Sequence, residues 1–321
     1  MRCQYHTPLL FNTVLHTYII EVCKEKEVKN CNVTFAMVLN CEQFGYVVFS
    51  LVYPLLYTKG PTWLQFYTKF ILYYASLTIS ATVVLPFTVF RPKDPRNLLW
   101  PQYLMKYTAS YLGLEYSLIN EIEAKKRLSF NKEKSSTSIV VVNHQSSLDV
   151  LGLLCHLWPL MDGQCTVIAK KSLLFAGPFG LMAYMSGITF IDRNKQNEAR
   201  DIMNKTVEKC KEQNWKLVVF PEGSRCHKPN ELNMLPFKLG SFSSALSFQV
   251  PVQPVVFSHY DWYDASTSFK LNSGGIRIHV LEPMDCQSQT NAKRFAEITR
   301  EKMLQTLQED AKNNFTSPSI H

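Results

Sequence analysis

Three short apolar runs, each ending in polar residues, constrain the fold of this chain more than any other feature. Residues 139–142 read IVVV, four β-branched side chains in a row, which suits a strand buried on both faces. The run stops at Asn143 and His144, and a Leu- and Gly-rich apolar segment follows from Leu148. A second run, GITFIDR, ends on Asp192 and Arg193. A third, residues 217–220, breaks at Pro221 and delivers Glu222, Gly223, Ser224 and Arg225 into one loop. Strands that discharge polar side chains at their carboxyl ends are how open α/β sheets build sites.

The first run carries a layout for base chemistry. His144 stands at a strand end and Asp149 follows five residues later, with no lysine or arginine between them. On one ideal helix these side chains would point well apart. They meet only if His144 lies in the turn before a helix whose first turn holds Asp149. There the carboxylate bonds one imidazole nitrogen, fixes the tautomer and leaves the other nitrogen to take a proton.

NHQSSLD, GITFIDR, FPEGSR and VPVQPVV occur in this order along the chain. Together they resemble the four blocks of the glycerolipid acyltransferases, most closely the 1-acylglycerol-3-phosphate (lysophosphatidic acid) acyltransferases. The family's first block, Asn-His-four residues-Asp, is matched by Asn143, His144 and Asp149. Its third, Phe-Pro-Glu-Gly-Thr-Arg, is matched except that Ser224 replaces threonine and keeps the hydroxyl. MLPFK at 234–238 and AKKSL at 169–173 also resemble family sequence, with Ser172 where a glutamate is common. The likeness covers residues 66–260.

The resemblance implies an enzyme of phospholipid biosynthesis that moves a fatty acyl group from acyl-CoA to the free sn-2 hydroxyl of 1-acyl-sn-glycerol 3-phosphate, giving phosphatidic acid. It implies His144 as the base and Asp149 as the carboxylate that orients it. Glu222, Gly223, Ser224, Arg225, Arg193, Lys170 and Lys238 are the implied substrate-binding residues. Arg225 and Arg193 suit the acceptor's phosphate, because a guanidinium pairs two phosphate oxygens at once. Arg193 has a structural alternative, an ion pair with Asp192 or Glu198. Glu222 would hold Arg225 or bind a glycerol hydroxyl, and Gly223 would allow the turn. No metal and no cofactor is expected, with acyl-CoA as co-substrate. Another lysophospholipid acceptor and a non-catalytic, membrane-shaping relative remain as alternatives. A serine hydrolase is disfavoured, since the chain has no G-x-S-x-G elbow.

A net charge of +8 favours anionic surfaces or substrates. Nucleic acid is not an expected partner, for there is no zinc-finger spacing, arginine-rich arm or RNP-like aromatic block. Nine cysteines without a CxxC pair indicate neither a zinc ribbon nor a redox couple, and packed thiols are expected.

Residues 70–90 form a run of 21 residues without a charge, enough to cross a hydrocarbon core of about 30 Å. Arg91, Lys93 and Arg96 follow, and the positive-inside rule places that end in the cytosol. Residues 44–57 are a shorter apolar run containing Pro54, so the two could form a helical hairpin joined by residues 58–69. Residues 173–191 also have the length of a span. Gly177-Pro178, Gly180 and Gly187 punctuate them, and a span there would part His144 from Glu222, so helix, turn and buried strand are expected instead. With the resemblance, this places the protein in the endoplasmic reticulum membrane with its catalytic domain facing the cytosol.

Helices at 197–213, 240–248 and 292–311, with strands at 217–220, 252–257 and 276–280, complete an α/β reading. The expected fold is a mixed sheet flanked by helices, with an N-terminal membrane-embedded helical segment or hairpin. The expected organisation is a segment of unknown role (1–43), membrane-associated helices (44–98), a catalytic domain (99–312) and a flexible tail (313–321).

Overall fold

The computed structural model describes residues 60–129, 137–226, 231–287 and 289–315. The segment 1–43, the apolar run at 44–57 and most of the expected tail lie outside the described residues.

The strands are β1 (Leu114–Ile119), β2 (Ile139–Val142), β3 (Cys165–Lys170), β4 (Thr189–Ile191), β5 (Lys216–Val219), β6 (Val252–Phe257), β7 (Tyr263–Asp264), β8 (Lys270–Leu271) and β9 (Gly274–Val280). Seven of them form one sheet in the order β1-β9-β6-β2-β5-β3-β4, and β7 and β8 make a separate ribbon. β2 pairs in parallel with both β5 and β6, and β3 pairs in parallel with β5 and β4. β9 runs antiparallel to β6, with β1 parallel to β9 on the outside, so the sheet is mixed. The carboxyl ends of β2 to β6 therefore open along one edge, where all three polar loops emerge.

The IVVV run is buried at every position because β2 sits between two strands under helices on both faces. Val140 and Val142 enter one apolar cluster while Ile139 and Val141 enter the other, as the two-residue period of a strand dictates. The helices are α1 (Thr62–Thr88), α2 (Gln102–Tyr111), α3 (Glu121–Leu128), α4 (Asp149–Leu160, with a π turn at Leu153–Leu157), α5 (Gly177–Met185), α6 (Gln196–Gln213), α7 (Gly240–Phe248) and α8 (Ala292–Phe315). α8 runs past its expected end at residue 311. The apolar stretch 173–191 resolves into a 3-10 turn (Lys171–Phe175), α5 and β4. β4 is half-buried instead of buried, because it is the last strand at its edge of the sheet.

α1 differs most from expectation. It starts at Thr62 behind Pro61, so much of the expected hairpin connection is helix. It is long and apolar enough to cross a membrane. Yet Phe66, Tyr73, Leu77, Ala81 and Val84 form a buried stripe at helical spacing, while Ile71, Ile79, Val83 and Phe87 stay exposed. The Phe66 ring meets Tyr263 and Phe269, and Lys69 Nζ donates to the Leu271 carbonyl at 2.6 Å. α1 thus belongs to the same compact unit as the sheet, Lys59–His321. The cations after it are partly engaged as well: Lys93 Nζ donates to the Tyr184 carbonyl at 3.0 Å, and Arg96 pairs with Asp94.

Candidate active site

At the end of β2, side-chain amides take over from the ladder. Asn143 Nδ2 donates to the Phe257 carbonyl at 3.0 Å, and its Oδ1 accepts the Phe257 N–H at 2.8 Å. Gln145 Nε2 donates to the Ser258 carbonyl at 2.8 Å. Between these anchors lies His144, its ring half-buried and stacked on Phe220 with centroids 4.2 Å apart. Asp149 opens α4, and its Oδ2 lies 2.7 Å from His144 Nδ1. The same oxygen accepts the N–H groups of Gln145 at 2.7 Å and Ser146 at 3.1 Å, while Oδ1 accepts the Tyr260 hydroxyl at 2.8 Å. Asp149 is wholly buried, and these donors make a buried carboxylate tolerable. With Nδ1–H on the carboxylate, Nε2 is the nitrogen left to accept a proton.

Glu222 has a role that the sequence did not reveal. It is buried, and Oε1 accepts the His144 N–H while Oε2 accepts the Leu235 N–H, both at 2.8 Å. Burial pushes its carboxyl up to about 6, and the two N–H donors pull the other way. Both oxygens serve main-chain donors, so Glu222 ties the histidine turn to the segment around Leu235. The His144 carbonyl in turn accepts the Cys226 N–H at 2.8 Å, which joins the first and third motifs a second time.

Gly223 adopts φ +72°, where a Cβ would also stand 3.3 Å from Lys238 Cγ. Lys238 N–H donates to the Pro221 carbonyl at 2.7 Å, and its exposed side chain crosses the Gly223 turn. Arg193 Nη1 donates to the Gly223 carbonyl. The alternative ion pair for Arg193 is not formed: Asp192 Oδ1 accepts the Asn194 N–H at 3.0 Å, and Glu198 pairs with Lys195 at 3.1 Å. Lys170 ends β3 in register with Ile191 of β4, exposed on the same sheet edge. Ser224 and Arg225 are exposed in the loop after β5. Arg225 lines an open groove of about 800 Å³ whose walls are Phe66, Phe70, Ile71, Tyr74 and Ile79 of α1, with Ser147 and Tyr263 opposite. Tyr73 of α1 donates its hydroxyl to the Ser147 carbonyl at 2.8 Å, fixing this helix to the loop that carries His144.

The arrangement supplies a base at a carboxyl edge, with guanidinium and ammonium groups nearby and an apolar groove leading away. Residues 123–258 match the family model described as Acyltransferase, a stretch that holds His144, Asp149 and the Glu222–Arg225 loop. 1-Acyl-sn-glycerol-3-phosphate acyltransferase alpha of Mus musculus is 32% identical over 249 residues, 77% of this chain and 80% of the relative. The beta enzyme of Homo sapiens is 32% identical over 71% of this chain and 77% of its own. The crystal structure of the 1-acyl-sn-glycerophosphate acyltransferase PlsC from Thermotoga maritima superposes with a TM-score of 0.55, covering 74% of this chain and 95% of that one at 20% identity, a likeness of fold. The chain belongs to the 1-acyl-sn-glycerol-3-phosphate acyltransferase family.

Proposed function

We propose that this enzyme transfers a fatty acyl group from acyl-CoA to the sn-2 hydroxyl of 1-acyl-sn-glycerol 3-phosphate, with His144 and Asp149 as its base pair. The observation that carries the reading is the 2.7 Å contact of Nδ1 with a buried carboxylate at the sheet edge, whose loop, through Ser147, lines an apolar groove together with Arg225. A thioester is already activated, so no covalent enzyme nucleophile is needed. His144 Nε2 takes the hydroxyl proton, and the alkoxide oxygen bonds to the thioester carbonyl carbon. The tetrahedral intermediate collapses, the C–S bond breaks and CoA thiolate leaves. The imidazolium returns its proton to that thiolate. Asp149 stabilises the imidazolium between these steps, and a positioned base of this kind contributes roughly 10² to 10⁴ in rate.

Arg225 faces the groove and reads the acceptor's phosphate, with Arg193, Lys238 and Lys170 adding positive charge along the same edge. The acceptor's acyl chain follows the α1 side of the groove. The outer face of α1, with Trp63, Ile71, Val83 and Phe87 exposed, enters the lipid. Because the opposite face of α1 is buried against the domain, the domain stays at the membrane surface. Acyl-CoA is water-soluble and highly charged, which supports a cytosolic face, here of the endoplasmic reticulum.

The test is turnover of the purified full-length protein in lipid vesicles with acyl-CoA and a panel of lysophospholipids. Phosphatidic acid should form fastest, from 1-acyl-sn-glycerol 3-phosphate. Faster acylation of a choline or ethanolamine lysophospholipid overturns the acceptor, and no acylation of any member overturns the enzymatic reading.

A further inference from the structure

We propose that Tyr260 is a positioning residue for acyl transfer, its hydroxyl holding the Asp149 carboxylate in the orientation that supports His144. The inference rests on the reading of His144 and Asp149 as the base pair. Tyr260 lies outside all four sequence motifs, three residues beyond the end of β6. It is wholly buried, and its hydroxyl donates to Asp149 Oδ1 at 2.8 Å.

The division of donors gives this contact its weight. The Gln145 and Ser146 N–H groups and His144 Nδ1 all converge on Oδ2. Tyr260 serves the other oxygen, so it governs how much negative charge the carboxylate carries without competing for the histidine. It also opposes rotation of the carboxylate, which would carry Oδ2 away from Nδ1. The tyrosine is itself fixed independently of Asp149. Its ring stacks on Trp262 with centroids 4.9 Å apart, and its N–H donates to Gln145 Oε1 at 3.3 Å. A phenol donating to a buried carboxylate makes a strong hydrogen bond, because the acceptor is charged and the surroundings screen it little.

Loss of that donor raises the proton affinity of the pair. The state with ionised Asp149 and neutral His144 loses most, whereas the protonated pair, with no net charge, loses less. A base that holds its proton to higher pH is inactive over a wider acidic range. The acid limb of the rate profile must therefore move upward.

The experiment compares full-length wild type with Tyr260→Phe in vesicles containing 1-acyl-sn-glycerol 3-phosphate, measuring kcat, both Michaelis constants, the pH profile and the Tm. Tyr260→Phe should lower kcat about ten-fold. Both Michaelis constants should stay within about two-fold, since no substrate contact is removed. The acid limb should move up by about half to one pH unit. Tyr116→Phe is the control, for it loses a comparably placed hydroxyl that donates to the Leu148 carbonyl at 3.3 Å. An equal shift of the acid limb in Tyr116→Phe overturns the proposal, as does a Tyr260→Phe protein with lower Tm but unchanged kcat and pH profile. Should Tyr260→Phe not fold, 3-fluorotyrosine at position 260 keeps the ring and supplies a stronger donor. The acid limb should then move downward, and no movement overturns the proposal. Failure of the underlying reading looks different: wild type would transfer no acyl group, or His144→Ala would retain its turnover.

Discussion

Replacing Asp149 by asparagine separates the charge of the carboxylate from its hydrogen bonds. The asparagine oxygen can keep the Gln145 and Ser146 N–H donors that now meet Oδ2, and two main-chain donors will hold it in that orientation. Its Nδ2 then faces the Tyr260 hydroxyl, which can turn to accept in place of donating. The fold should therefore change by only about 1 kcal/mol. The imidazolium, in contrast, loses an anion at 2.7 Å. A hydrogen bond to a charged group is worth roughly 1.5–3 kcal/mol, and each 1.36 kcal/mol is ten-fold in rate, so kcat should fall on the order of a hundred-fold. Asp149→Ala should behave otherwise. It strands the Gln145 and Ser146 N–H groups and the Tyr260 hydroxyl, at roughly 1–3 kcal/mol each, a large part of the stability of an ordinary domain. The assay is single-turnover acyl transfer alongside thermal unfolding of both variants. Asp149→Asn with a rate within about three-fold of wild type would refute the electrostatic role. An Asp149→Asn protein as unstable as Asp149→Ala would show the carboxylate to be chiefly structural.

Arg225→Lys keeps the charge but loses the two-pronged geometry, so the acceptor Michaelis constant should rise about ten-fold or more while the acyl-CoA constant changes little. A monoacylglycerol acceptor, lacking the phosphate, should be nearly unaffected; equal losses on both acceptors would assign Arg225 to another task. Glu222 makes a prediction about pH: its folded value near 6 lies above the ordinary 4.5, so its contribution to stability is full below about pH 4.5 and is lost as pH rises through 6. The unfolding free energy of Glu222→Gln relative to wild type should therefore shift by about 2 kcal/mol in the glutamine's favour between acidic and neutral pH, and a pH-independent difference would remove burial as the cause.

The parallel core and the contact of His144 with Asp149 were legible because both are written in local sequence. Four β-branched residues leave little but a buried strand, and the gap from His144 to Asp149 admits one meeting geometry. α7 and β6 fall where turn residues and apolar runs placed them. What local sequence could not report is which atoms a side chain meets across the sheet. Glu222 reads as a partner of Arg225 or of a glycerol hydroxyl until both its oxygens are seen on main-chain N–H groups. Arg193 reads as a phosphate ligand, with an ion pair to Asp192 or Glu198 as the alternative, and only the structure shows its guanidinium on the Gly223 carbonyl. Tyr260 gave no motif signal, although its place just beyond a parallel strand was a hint that the carboxyl edge holds it. α1 is a candidate membrane segment, as expected, but its packing on the domain was not legible for a different reason. An uncharged run looks the same whether lipid surrounds it or a domain covers one side, and only the Phe66, Tyr73, Leu77, Ala81, Val84 stripe tells them apart.

Strand register explains how motifs far apart in sequence form one site. Val141 of β2 lies opposite Val219 of β5, and Val142 lies opposite Val255 of β6, so the three strands finish at nearly the same level. The turn after β2 carries His144, the loop after β5 carries Glu222, and the segment after β6 carries Tyr260. Each then has to reach across only one strand spacing, about 4.8 Å, to its neighbour. Glu222 holds the histidine's main chain from one side, and Tyr260 holds the histidine's carboxylate from the other. A one-residue slip of β5 against β2 would turn every β5 side chain to the opposite face and carry Glu222 away from the His144 N–H. Close packing opposes that slip, because it would force Leu217, Val218 and Val219 out of the clusters they fit and carry the buried Lys216 to the other face. The core that makes the sheet stable is thereby the device that sets the site's geometry. Volume changes at Val141 or Val219 should consequently reach kcat through the spacing of His144 and Glu222, without touching either residue.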